Sequence, residues 1–270
     1  MNQRQWIQMD DTSGTSAQKI ARIGWSITAA VTVVFLVIGL VVSLPLELAM
    51  VGFIGGYLFA RSIRNGAQER VRASLTLNPA SENEQARIFN VVDGLCVVSG
   101  DHRPAIEVLN SEFPVALAFG DANESTIVVS NGFCALMDRV ETEAVIAHLL
   151  WRIRTGDVEL TAYLMNLVAS LSRLKLASVA RFVVSRAQNN QAILWADIAA
   201  CQATRYPPAL ASALEKIEQC DLPTHPHVTF PLWFATPSNV SGATSSATPL
   251  SNLDISYPSL ADRIGVLKEI

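Results

Sequence analysis

Charge is scarce in this chain. Charged residues make up 16% of its 270 positions while 50% are hydrophobic, and a net charge of −4 leaves no basic stripe for a nucleic-acid backbone. With so few charges, the mean hydropathy of +0.30 points to contact with a membrane. Cysteine is sparse too. Cys96, Cys134, Cys201 and Cys220 stand far apart and form no Cys-x-x-Cys pair, which excludes a zinc knuckle and a thioredoxin-like motif. Unpaired thiols are what a reducing cytosol maintains. No small-residue cleavage site follows residues 1–22, so this polar stretch reads as a short flexible tail and not as a secretory signal.

What is present starts with Ile23 to Ser43, 21 residues without a charge. About 20 helical residues cross a hydrocarbon core, and a buried soluble helix of that length would still carry a polar side. Leu44-Pro45-Leu46-Glu47 breaks the run, and a second apolar segment, Leu48 to Ala60, reaches 17 residues when extended back through the proline turn. This predicts a tight transmembrane hairpin over 23–61, with Gly52 and Gly56 spaced for close helix approach. Arg4, Lys19 and Arg22 precede the hairpin, Arg61, Arg64, Arg70 and Arg72 follow it, and Glu47 alone charges its turn. The positive-inside rule then places the N-terminus and everything after Arg61 in the cytoplasm, at the cell (inner) membrane. Arg61 to Arg72 would lie near its anionic leaflet.

Residues 62–270 read as one compact domain. Helical periodicity covers Glu82 to Leu95. Short β-like runs at Ala105 to Leu109, Val115 to Phe119 and Thr126 to Ser130, separated by turn-forming residues, predict a small antiparallel sheet. Asp138 to Arg154 returns to helix, with Ala144, His148, Trp151, Arg152 and Thr155 on one side. Leu160 to Val184 is apolar but interrupted by Arg173, Lys175 and Arg181, which predicts a helix pair on the domain or membrane surface. Further helices are expected at Ala192 to Ala203, Leu210 to Cys220 and Pro258 to Ile270, and the Ser/Thr/Gly/Pro-rich 236–256 reads as a mobile loop.

The centre of the chain is Glu141 to Asp157. A metallopeptidase helix needs His-Glu-x-x-His, because residues four apart share a face and two imidazoles can then hold one zinc beside a general base. Here those five positions are His148, Leu149, Leu150, Trp151 and Arg152. Several blocks nevertheless resemble the HtpX family of membrane zinc metallopeptidases: the opening hairpin, Pro114-Val-Ala-Leu-Ala-Phe-Gly120, the stretch Ser130 to His148, Gly156-Asp157, Trp195-Ala-Asp197, Leu210 to Ile217, and Ser256-Tyr-Pro-Ser-Leu-Ala-Asp-Arg-Ile264. The resemblance covers roughly residues 23–270 apart from the loop. It implies an α+β, mostly helical protein whose membrane hairpin leads into a zincin-like (gluzincin) cytosolic domain.

Carried over by resemblance, the first zinc ligand falls on His148, the general base on Leu149, the second ligand on Arg152 and the third on Ile193. Only His148 keeps its chemistry, and a guanidinium stays protonated where the metal would sit. His102, His225, His227, Asp157 and Asp197 are the remaining candidate donors, but only His225 and His227 are close together, and they have no partner at a ligand spacing. The expectation is therefore a metal-free, catalytically inactive homologue that binds a protein partner or joins a paralogous peptidase or other membrane complex. Its surfaces would be the bilayer and, for an extended peptide, the strand Val115, Ala116, Leu117, Ala118, Phe119. The competing expectation is a zinc endopeptidase in membrane protein quality control with an unusual ligand set.

Overall fold

The computed structural model describes residues 12–187, 191–220, 229–236 and 258–269. Two long helices lead. Helix α1 (Thr12–Val42) and α2 (Pro45–Ala73) form an antiparallel hairpin, each long and apolar enough to cross a membrane. Pro45 opens α2 at a position where the missing N–H has no intrahelical partner to lose, and the Leu44 N–H closes the turn on Gly39 O at 2.9 Å. Side chains are excluded where the helices meet. A Cβ on Gly52 would stand 2.6 Å from Phe35 Cβ, and one on Gly56 would stand 3.0 Å from Thr28 Cα, so the small-residue spacing does set the closest approach.

The hairpin reaches further on both sides than the expected boundaries. Residues 12–22, expected as a tail, are helical, because Ile20 is buried against the domain and the Ser16 hydroxyl donates to Thr155 O at 2.9 Å. Helix α2 continues beyond Ala60 because Ile63, Ala67 and Val71, four residues apart, supply a buried stripe.

The domain contributes β1 (Leu77–Pro79), α3 (Ala86–Ser99), β2 (Ala105–Leu109), β3 (Ala116–Gly120), β4 (Ser125–Ser130), α4 (Asn131–Leu136), α5 (Arg139–Arg154), α6 (Asp157–Arg173), α7 (Ala177–Ala187), α8 (Ala192–Thr204), α9 (Pro207–Glu218) and α10 (Leu260–Glu269). The sheet order is β1-β2-β4-β3. It is mixed, which corrects the antiparallel expectation: β3 turns back on β4 at the edge, and β4 lies parallel to β2, with Ile106 opposite Ile127. Turn chemistry alone does not say that β3 would be passed over and β4 inserted beside β2. Helix α3 starts and ends four residues later than its periodicity suggested, stopped by Gly100 in the left-handed region (φ 73°).

Helix α6 corrects the picture of a surface pair. Its Leu160, Tyr163, Leu164, Leu167 and Val168 are buried, forming with Ile20 and Ile63 a second core between domain and hairpin. Asn166 joins the same contact, donating through Nδ2 to Ile63 O at 2.6 Å while accepting from Arg70. The loop expected at 236–256 lies outside the described residues beyond Thr236.

Candidate functional site

Helix α5 begins with a capping box. Asp138 accepts from the Glu141 N–H at 2.8 Å, and Glu141 accepts from the Asp138 N–H at 2.9 Å. Glu141 is itself buried and ties the helix start to α9 through Ser212 Oγ and Lys216 Nζ, both at 2.6 Å. Val145, Ile146, Leu149 and Ile153 then enter the core. This anchoring fixes where His148 and Arg152 point.

His148 is fully buried. Its Nδ1 lies 2.8 Å from Asp197 Oδ1 on α8, and its Nε2 has no hydrogen-bonding partner among the described residues. The ring of Phe234 meets the imidazole edge-on with centroids 5.0 Å apart. Burial dominates the titration of His148 and, with the Arg263 and Arg152 charges, outweighs Asp197, lowering its pKa from 6.5 to about 4.

Asp197 is held by a guanidinium fork. Arg263 Nε donates to Asp197 Oδ2 and Nη2 to Oδ1, both at 2.7 Å, while Nη1 reaches Phe234 O at 2.8 Å. Burial works to raise the Asp197 pKa, but Arg263 and His148 overcome it and leave the group at about 2. The carboxylate therefore stays ionised in the interior, paired in two directions.

Arg152, one turn after His148, is buried as completely. Nε donates to Asp157 Oδ2 at 2.7 Å, and the other nitrogens reach three main-chain oxygens: Nη2 to Pro231 O at 3.2 Å, Nη1 to Leu232 O at 3.3 Å and Trp233 O at 3.2 Å. These carbonyls belong to a 3-10 turn, Phe230–Leu232, and the extended residues after it. Trp233 bridges Leu117 in antiparallel fashion, and the Phe234 N–H donates to Ala116 O at 2.8 Å. So the outer edge of β3, the strand expected to receive a peptide, is met by the chain's own segment.

The donor set does not fit zinc. Leu149 is wholly buried and apolar, Ile193 is buried one turn before Asp197, and Arg152, buried one turn after His148, brings a positive charge that acts on the imidazole. Among the described residues no three His, Cys, Asp or Glu side chains converge on one point. His102 is exposed on the α3–β2 connection, and His225 and His227 lie outside the described residues. Asp157 and Asp197, weighed as oxygen donors, each serve an arginine. The sequence had offered no role for Arg263 or Phe234; only the proximity of 197, 234 and 263 in the fold supplies it.

No protein-family model matches the chain. A protease HtpX homologue of Dictyoglomus thermophilum is 30% identical over 256 residues, which cover 81% of this chain and 79% of the relative. The chain belongs to the HtpX protease homologue family. Homologues from Dictyoglomus turgidum (28% identical, 82% of this chain and 83% of the relative) and Streptococcus gordonii (24%, 84% and 87%) extend over similar lengths. The two apolar N-terminal helices agree with a membrane member of this metallopeptidase family.

In this HtpX-family chain the buried imidazole makes stability depend on pH. Because the folded pKa of about 4 lies below the ordinary 6.5, the unfolded chain binds more protons between those values. Stability should fall as pH drops through that window, by roughly 3 kcal/mol if the whole shift is expressed. Chemical denaturation at pH 7 and pH 4.5 measures it. The His148→Gln variant should lose much of the slope, and an unchanged slope would show that His148 is not its source.

Proposed function

We propose that this protein is a membrane-anchored, catalytically inactive HtpX homologue that acts by binding a protein partner or as a subunit of a membrane complex, on a zincin-like scaffold. The observation that carries the reading is the engagement of Arg152 with Asp157 and three carbonyls of residues 231–233, where a second metal ligand would stand. A fixed cation in that space opposes Zn²⁺ directly, and no carboxylate is present at Leu149 to activate water. The arginines that flank the hairpin support, by the positive-inside rule, a cytoplasmic side for both chain ends. Partner binding by strand addition at β3 would compete with Trp233 and Phe234, so it requires those residues to leave the edge.

Elemental analysis of the purified chain tests the catalytic half of this reading. We expect less than one zinc in ten chains after dialysis against trace zinc. One tightly held zinc per chain, lost on His148→Ala, would support a working peptidase with unusual ligands instead. Crosslinking in native membranes tests the other half, because recovery of self-contacts alone would remove the partner.

A further inference from the structure

Helix α7 leaves apolar side chains uncovered. Its Ala180, Val184 and Ala187 are buried in the core shared with α6 and the hairpin, whereas Val179 and Phe182 are 48% and 61% exposed, and Leu174 and Leu176 just before the helix are 57% and 46% exposed. Interspersed with them are Arg173, Lys175, Arg181 and Arg186, and no acidic residue occurs between Glu159 and Asp197. The Arg186 guanidinium lies over the Phe182 ring, 5.6 Å from its centroid.

Helix α7 packs on α6, and through it on the hairpin. Its Ala180, Val184 and Ala187 share one buried cluster with Ile20 and Ile63 of the hairpin, and Ile23, Ile27 and Phe59, half-buried near the boundary charges Arg22 and Arg61, pack against that cluster. Ile27 is five residues inside Arg22, on the order of 7 Å along the helix. Amphipathic helices that lie in a bilayer interface bury their apolar side about 5–10 Å. A helix seated on this cluster lies near the ends of the spanning segments, and its cations complement anionic headgroups.

We propose that this face, from Leu174 through Phe182, lies in the interface of the same bilayer, with its apolar side chains among acyl chains and its cations at anionic phosphate headgroups. The occupant is lipid. The hairpin then holds the domain at two places, by its spanning helices and by a surface helix that fixes the domain's tilt.

The test uses the full chain in vesicles of equimolar phosphatidylcholine and phosphatidylglycerol, with a benzophenone amino acid placed singly at Phe182, at Leu40 in α1, or at Val98 on α3. The proposal rests on the hairpin crossing the membrane, and Leu40 reports on that separately. Irradiation should yield lipid adducts at 182 and 40 and none above background at 98. Adducts at 40 but not at 182, or capture of polypeptide at 182, would overturn the proposal while leaving the hairpin intact. Failure at 40 as well would remove the membrane reading itself. With Lys175→Gln and Arg181→Gln, the phosphatidylglycerol-to-phosphatidylcholine ratio of the adducts at 182 should fall toward the bulk value of one, by up to about fivefold for each charge removed. An unchanged ratio would overturn the headgroup contact.

Discussion

Replacing Arg263 with methionine should lower the unfolding free energy of the detergent-solubilised chain by about 3–5 kcal/mol, the usual effect of removing one partner from a buried ion pair. Asp197 would be left ionised and nearly inaccessible, its remaining polar contact among the described residues the neutral His148. The loss also strands Phe234 O, which accepts from the same guanidinium. Arg263→Lys should recover only part of the stability, because an ammonium cannot reproduce the two 2.7 Å bonds of the fork. Adding Asp197→Leu to Arg263→Met should restore some of the loss, since the uncompensated charge is then gone. Urea denaturation of the four proteins decides the matter. A methionine variant within about 0.5 kcal/mol of the parent would place Arg263 with ordinary surface residues.

This sensitivity also explains how much was legible in advance. The hairpin could be read because lipid imposes a rule on contiguous residues: every position from Ile23 to Ser43 must be tolerable in hydrocarbon. Helix α5 could be read because its capping box is local, with Asp138 and Glu141 three residues apart. The sheet's parallel pair was not legible, since the pairing of β2 with β4 depends on where β3 finds an edge. Nor were the roles of Asp197, Phe234 and Arg263, whose contacts cross 29 to 66 residues. That Leu149, Arg152 and Ile193 carry no metal-ligating side chain was visible from residue identity alone. The contacts of Arg152 were not, because nothing in an isolated arginine announces three carbonyls from residues about 80 positions away.

Arg152 is therefore the residue whose replacement separates repair of a motif from repair of a site. Arg152→His restores the residue type that the family resemblance implies, yet it should destabilise the chain by about 3–5 kcal/mol, because Asp157 loses its buried cation and the carbonyls of Pro231, Leu232 and Trp233 lose their donor. The segment on the β3 edge should loosen first. The hydrogen bond from the Phe234 N–H to Ala116 O and the Arg263 contact to Phe234 O remain to hold it, so amide exchange at Phe234 should accelerate before that of β4. Zinc should not compensate, since the histidine would still face an apolar Leu149 and Ile193. If exchange at Phe234 and overall stability both match the parent, the guanidinium is not holding the segment. If both shift and added zinc leaves them shifted, Arg152 is a structural cation that joins α5 to the segment on the strand edge, and a single substitution does not give the site a ligand set.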